Sequence, residues 1–354
     1  MAIERVLYLL GAGFSAPLGL PVMSNFLMKS KDQFAERSSE YAFFPDVFHL
    51  VERLSKIKNV YDTDLFNIEE ILSILEMESA LRGEPLKQQF LDYLCAVIRH
   101  YMPTIPAPVL AQPAPSNWYE VLFRGGPAGA YALFTANLFR LRITRHRVIA
   151  APGMRGEFSA ASELTPTRYS VVTLNYDEVL EGAAQALTEW FEGEQRFVTT
   201  WDAEDADWAR GPYLAKLHGS VADGRIVAPT WSKGIDQVVL PAWQLAYRLL
   251  AGATQIRIIG YSLPLADAYV KYLLKAAALD SDRLKQIDIV CLDPDGTVRR
   301  RYEDFLDFPN VRFQAGEALM YVLGAGRTGY HYDRDQDSAL FQGLEFGHQQ
   351  FMAT

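Results

Sequence analysis

Short apolar runs recur along this chain, and most of them end in glycine or a polar residue. Residues 6–10 are five consecutive apolar residues, followed by Gly-Ala-Gly-Phe-Ser at 11–15. Further candidate strands cover residues 169–174, 213–217, 256–259, 287–292 and 311–313. Runs of this length predict buried strands, and the helical patterns between several of them predict a mostly parallel sheet with helices on both faces. The expected fold class is therefore α/β and Rossmann-like.

The segment between the first two predicted strands has a different pattern. Apolar residues at helical spacing run through much of residues 24–147, with a proline-rich break near residues 103–115. We interpret residues 24–147 as a large helical insertion in a core formed by residues 1–23 and 148–323. Residues 117–147 are expected to be helical as well.

The last part of the chain, residues 324–354, is predicted to be a C-terminal tail. Gly324-x-Gly326-x-x-Gly329 has the spelling of a dinucleotide-binding loop. The residues after it do not have the pattern of a helix start, and too few of them remain for a βαβ unit, so we interpret this stretch as a linker. The aromatic residues Phe346 and Phe351 are available to dock the tail on a neighbouring molecule.

Composition and charge narrow the class of protein. With 354 residues, 49% of them hydrophobic and 22% charged, the chain has the size of one large globular domain or two modest ones. A net charge of −9 argues against broad binding to nucleic acid or anionic membranes. Cys95 and Cys291 are too few for a disulfide framework or a four-thiolate zinc site. We expect a cytoplasmic protein with no membrane span and no bound metal.

The turn after the first strand is a candidate phosphate-binding loop. Gly11-x-Gly13-x-x-Ala16 fits the dinucleotide fingerprint with alanine in the third place. Such a turn offers backbone N–H groups to a phosphate, although a purely structural corner has the same composition. Pro17 and Pro21 predict that the following helix is delayed or shortened.

Polar or glycine residues also follow the other predicted strands. In an open parallel sheet the ligand crevice lies outside the carboxyl ends of the strands, so these residues are expected to converge. The sequence therefore predicts a nucleotide site formed by residues 11–15, Asn175 and Asp177, His218 and Gly219, Gly260 and Ser262, and Asp293.

Four motifs together resemble a known family. Gly-Ala-Gly-Phe-Ser at 11–15, Thr-Leu-Asn-Tyr-Asp at 173–177, Lys-Leu-His-Gly-Ser at 216–220 and Gly-Tyr-Ser-Leu-Pro at 260–264 are similar, in this order, to sirtuin-like domains. The resemblance extends over about residues 6–295 and is to the bacterial sirtuin-like branch of antiphage defence. It implies that NAD is bound as the substrate and that Asn175 and His218 are catalytic. The binding residues it implies, together with the convergence of strand ends, are Gly11, Ala12, Gly13, Phe14, Ser15, Thr173, Asp177, Gly219, Gly260, Ser262 and Asp293.

The sequence departs from the protein-deacylating sirtuins in two places. Those enzymes carry a zinc module of four cysteines, and an Asp-Phe-Arg segment follows their first motif. Here there are two cysteines in all, and residues 23–26 read Met-Ser-Asn-Phe. The resemblance thus implies an NAD glycohydrolase that forms nicotinamide and ADP-ribose and depletes NAD in antiphage defence. The alternatives are an NAD or ADP-ribose sensor without turnover and, less favoured, an NAD-dependent deacylase.

The residue types suit this chemistry. Cleavage of the N-glycosidic bond passes through an oxocarbenium-like state, and nicotinamide leaves as a neutral molecule. His218 suits a base near neutral pH, and Asn175 can orient water or a ribose hydroxyl. Because uncontrolled NAD consumption would be toxic, we expect control by a homo-oligomer built through the insertion, with the tail contacting a neighbouring copy or partner. The resemblance adds a HerA-type ATPase that would contact DNA in place of this chain.

Overall fold

A six-stranded sheet forms the centre of the protein. The computed structural model describes residues 3–61, 68–83, 86–111, 114–146, 158–191, 193–222, 224–227, 239–264 and 267–353. The strand order is β10 (Val311–Ala315), β9 (Gln286–Cys291), β8 (Gln255–Ile259), β1 (Glu4–Leu10), β4 (Thr167–Thr173) and β5 (Leu214–Lys216). Every neighbouring pair in this sheet is parallel. The predicted α/β fold class and all six predicted strands are confirmed.

The register of this sheet brings the strand ends to one level. Leu10, the last residue of β1, lies beside Thr173 of β4 and beside Ile259 of β8. The glycine and polar residues that follow these strands therefore leave the sheet at the same edge. This is the edge at which open parallel sheets bind ligands.

Helices cover both faces of the central sheet, because the strands bury apolar side chains on each face, as the alternating side chains of β1 illustrate. Val6, Tyr8 and Leu10 pack into one core, and Leu7 and Leu9 pack into the other. The α-helices are α1 (Ala12–Ser15), α2 (Phe26–Glu36), α3 (Phe44–Leu54), α4 (Ile68–Arg82), α5 (Leu86–His100), α6 (Trp118–Val121), α7 (Gly126–Leu138), α8 (Val179–Trp190), α9 (Leu240–Gly252), α10 (Ala268–Leu279), α11 (Thr297–Phe305), α12 (Ala318–Arg327) and α13 (Glu345–Met352). Short 3-10 turns occupy Ala16–Leu18, Met23–Asn25 and Ser55–Asn59. The helix after β1 has four residues, as its prolines predict.

A second sheet corrects one expectation. Its four strands, each antiparallel to its neighbours, are in order β11 (Tyr330–Asp333), β12 (Ser338–Phe341), β2 (Leu141–Arg145) and β3 (Phe158–Ser162). A separate antiparallel pair is formed by β6 (Gly219–Ser220) and β7 (Arg225–Ile226). Residues 141–145 are predicted to be helical, but they form a strand: Leu141 and Ile143 are buried, the other three residues are half-buried, and the segment pairs with β3 and β12. The division into core, insertion and tail stays a prediction, and its boundary at residue 148 lies outside the described residues.

The glycine-rich stretch near residue 324 is helix α12, so the linker interpretation is wrong. A Cβ on Gly326 would lie 3.3 Å from the side chain of Leu133 in α7, and a Cβ on Gly347 of α13 would lie 2.7 Å from the carbonyl oxygen of Gly324. These glycines allow α12 to pack closely on α7 and α13. Phe351 packs within the chain against Tyr321, with ring centroids 5.3 Å apart, whereas Phe346 is exposed. None of the described helices is long and apolar enough to cross a membrane.

Candidate functional site

The glycine loop, residues 11–15, is locked against the end of β8. The N–H of Gly11 donates to the carbonyl oxygen of Ile259 at 3.0 Å, and the N–H of Gly13 donates to that of Gly260 at 2.9 Å. A Cβ on Gly11 would lie 2.6 Å from the oxygen of Gly260. Glycine is therefore required for this close approach of two backbones. Ala12 is the exposed residue of the loop.

Asn175 connects the end of β4 to the glycine loop. Its side-chain amide donates to the carbonyl oxygen of Gly11 at 3.0 Å and to Oγ of Ser15 at 3.2 Å. Its own backbone N–H donates to Oγ1 of Thr173 at 3.1 Å. With both amide hydrogens used, the side-chain oxygen of this buried residue is the atom left for a further contact.

Asp177 is a carboxylate held in a polar setting at the same edge. Burial raises its pKa, and this is opposed by the positive charge of Lys216 and by hydrogen bonds from Ser15 and the N–H of Val179. The N–H of Val179, at the start of α8, lies 3.1 Å from Oδ1 of Asp177. Asp177 can therefore place a negative charge beside a ligand.

His218 lies just beyond β5 and is buried, with 3% of its surface exposed. Its ring is 5.6 Å from that of Tyr176, centroid to centroid. Its backbone is fixed by the N–H of Val227, which donates to its carbonyl oxygen at 3.0 Å. The imidazole is thus held on the wall of the site by the short β6–β7 pair that follows it.

These residues share the wall of one cavity of about 460 Å³. Its polar side is formed by the strand ends, and its apolar side comes from residues 20–24, from Phe26, and from helices α4 and α5 through Ile68, Leu94 and Ile98. Asp177 and Asp267 are the carboxylates among the described residues that line it, and no lysine or arginine is among them. In the described part of the chain, no group of three or more His, Cys, Asp and Glu side chains is arranged to hold a metal ion.

Nine of the predicted site residues line this cavity, and four do not. Those on the wall are Gly11, Ala12, Gly13, Ser15, Asn175, Asp177, His218, Gly260 and Ser262. Phe14 is buried against Tyr131, and Thr173 supports Asn175 from the end of β4. Gly219 forms part of β6, with φ of 80°. The carboxylate of Asp293 accepts the N–H groups of Val298 and Arg299 at the start of α11, at 2.9 and 3.1 Å.

Sequence reasoning missed other residues of the site. Cys291, the last residue of β9, lines the cavity, and burial and the nearby Asp293 raise its pKa to about 11. Asp267 lines the cavity too, and its Oδ2 accepts the hydroxyl of Tyr261 at 2.8 Å. Lys216 contacts the loop that carries Asp177, and its place in the same motif as His218 is the sequence signal that could have identified it.

Comparison with known proteins gives a distant likeness in shape. No family model matches the chain, and no curated protein matches its sequence. Among solved structures, a complex of Sir2 with a p53 peptide and NAD+ matches with a TM-score of 0.40 and 12% identity, covering 92% of this chain and 94% of that one. A complex of a Sir2 homologue with NAD matches with a TM-score of 0.38 and 14% identity, covering 92% and 89%. TM-scores and identities this low do not establish a shared family.

Proposed function

We propose that this protein is an NAD glycohydrolase, which hydrolyses NAD to nicotinamide and ADP-ribose. The observation that carries the proposal is the meeting of Asn175, Asp177 and His218 with the glycine loop on one cavity wall. These residues come from three different strand ends, and their motifs are those that resemble sirtuin-like domains. A phosphate-binding turn, a carboxylate and a buried imidazole are the groups this hydrolysis needs.

Each residue has a role that its contacts allow. The glycine loop would bind the pyrophosphate through its backbone, at the exposed Ala12. As the bond between the ribose C1′ and the nicotinamide nitrogen breaks, its electron pair leaves with nicotinamide, and the ionised Asp177 stabilises the positive charge on the ribose. The side-chain oxygen of Asn175 orients a water molecule, which adds to C1′ and gives its proton to His218.

The experiment is to incubate the purified protein with NAD and to measure nicotinamide and ADP-ribose by chromatography at several protein concentrations. Asn175→Ala and His218→Ala should each reduce kcat by about 100-fold or more, the usual effect of removing an acid–base or orienting group. His331→Ala is the matched control, because His331 is exposed on β11.

Three outcomes contradict this proposal. Full NAD loss in both site variants would place the chemistry elsewhere. Tight NAD binding by calorimetry with the glycosidic bond intact, at every protein concentration and with partner proteins added, would instead support the sensor function. Turnover of acyl-lysine peptides together with NAD would support a deacylase.

The role in antiphage defence and the HerA-type ATPase partner are proposed from the motif resemblance alone. Cells that express the intact protein should lose NAD after phage infection, and cells that express Asn175→Ala should not. Copurification of an ATPase with the intact chain tests the partner. Unchanged NAD levels in infected cells, with active enzyme present, would contradict the defence role.

A further inference from the structure

Lys216, the last residue of β5, is a largely buried lysine between the two loops of the site. Its side chain is 13% exposed. The ammonium group donates to the backbone oxygen of Asp177, to Oε1 of Glu181 at 2.7 Å and to Oγ of Ser220 at 3.3 Å. An ammonium has three N–H donors, so this set of acceptors satisfies it completely.

The three acceptors belong to three different segments. Asp177 lies in the loop after β4, Glu181 lies in the first turn of α8, and Ser220 lies in β6. Lys216 and Ser220 lie on either side of His218, so their contact spans the turn that carries the imidazole. One side chain thus fixes the loop that contains Asp177 relative to the turn that contains His218.

Further contacts hold the same two segments together. The hydroxyl of Ser220 donates to Oε1 of Glu178 at 3.3 Å, and the N–H of Val221 donates to the carbonyl oxygen of Tyr176 at 3.0 Å. The acidic groups that face this region are Asp177, Glu178 and Glu181, and Lys216 is the cation bonded among them. Its charge favours the ionised form of Asp177, whose pKa burial raises.

We propose that Lys216 is a positioning residue for this reaction: it holds the loop that carries Asp177 and the turn that carries His218 at a fixed separation. The inference rests on the proposed NAD glycohydrolase function. The contacts place Lys216 behind the cavity wall, bonded to the backbone of Asp177, so it acts through its neighbours. A small misplacement of such groups can reduce a rate by about 100-fold.

The test compares Lys216→Met, Lys216→Arg and the control Lys285→Met in NAD hydrolysis. Lys285 forms an ion pair with Glu4 at the opposite edge of the same sheet. Lys216→Met should reduce kcat by about 100-fold while the dissociation constant of ADP-ribose changes by less than about threefold. It should also move the acidic limb of the kcat–pH profile to higher pH, because Asp177 loses the cation that lowers its pKa. Lys285→Met should behave as the unchanged protein.

Lys216→Arg separates charge from geometry. A guanidinium keeps the positive charge but is planar and cannot reach the same three acceptors in the same way. We expect its acidic limb to stay in place while kcat falls by about 10-fold. A kcat within about threefold of the unchanged protein in Lys216→Met, with an unmoved acidic limb, would overturn the proposal. If the Met variant does not fold, undiminished kcat in Lys216→Arg overturns it.

A readout independent of turnover separates this proposal from the proposed function. In a protein labelled with ¹⁵N-histidine, Lys216→Met should shift the imidazole signals of His218 and leave those of the exposed His331 in place. If the unchanged protein does not hydrolyse NAD but the His218 signals shift in Lys216→Met, the proposed function is refuted and the positioning of His218 by Lys216 is not. Unmoved His218 signals would refute the positioning role whether or not the protein is active.

Discussion

Gly260→Ala is the substitution that tests most directly how the glycine loop is held. Gly260 has φ of 67°, a conformation that side chains other than glycine rarely adopt. A Cβ at this position would lie 2.2 Å from the backbone nitrogen of Phe14 and 2.4 Å from the carbonyl carbon of Gly13. Both neighbours are backbone atoms, so no flexible side chain can move aside.

The expected cost follows from these two effects. The left-handed conformation costs a residue with a Cβ about 1–2 kcal/mol. Overpacking against neighbours that cannot relax costs about 1–3 kcal/mol more. The sum of about 2–5 kcal/mol should lower Tm by about 3–7 °C in a chain of this size. Because relief of the clash must move the glycine loop, affinity for ADP-ribose should fall as well.

Thermal unfolding monitored by circular dichroism, with calorimetric titration of ADP-ribose, measures both effects. The matched control is Gly182→Ala, because Gly182 is exposed within α8 and a Cβ there would have no neighbour within 4 Å. That change should stabilise the protein by about 0.5–1 kcal/mol. A Tm for Gly260→Ala within about 1 °C of the unchanged protein would refute the reasoning, since it would mean that the two loops are not packed as described.

Two other predictions concern the C-terminal helix and assembly. His348 is buried in α13, and burial and Arg257 lower its pKa from 6.5 to about 4. Its neutral form therefore adds on the order of 3 kcal/mol to the free energy of unfolding, a contribution that is complete above pH 6.5 and is lost as pH falls toward 4. The free energy of unfolding measured in urea should therefore depend less on pH in His348→Gln than in the unchanged protein, whereas His331→Gln should leave the pH dependence as it is. If the protein assembles through the predicted insertion, Leu81→Glu should reduce the sedimentation coefficient, because it places a charge on a side chain of α4 that is 77% exposed. A monomer in both proteins at micromolar concentration would contradict the predicted oligomer.

The central sheet could be predicted from sequence because its signal is local. Apart from the half-buried edge strand β10, the strands contain short apolar runs, in which the burial of side chains on both faces leaves little room for polar residues. Glycine or a polar residue follows each run, and the parallel topology alone brings Gly11, Asn175, His218 and Gly260 to one edge. The sequence could therefore identify nine residues that share one cavity wall, although it says nothing about the geometry of the loops.

The C-terminal region could not be predicted in the same way, because what orders it is a chain of polar contacts between distant residues. Nη1 of Arg257 donates to the hydroxyl of Tyr8 at 2.9 Å, which lies 3.1 Å from that of Tyr321. The hydroxyl of Tyr321 is 3.0 Å from Nδ1 of His348, whose Nε2 is 2.7 Å from Asp288.

Read alone along the sequence, each residue of this network is an ordinary polar residue, and all but His348 lie in apolar runs. In the fold they lie on β8, β1, α12, α13 and β9, and they satisfy one another where an unpaired polar group would be costly. The last helix is thus bonded to β1, the strand from which the glycine loop emerges. This explains why residues 324–353 pack against the central sheet: their removal would leave the buried Arg257 without Glu345 and the buried Asp288 without His348.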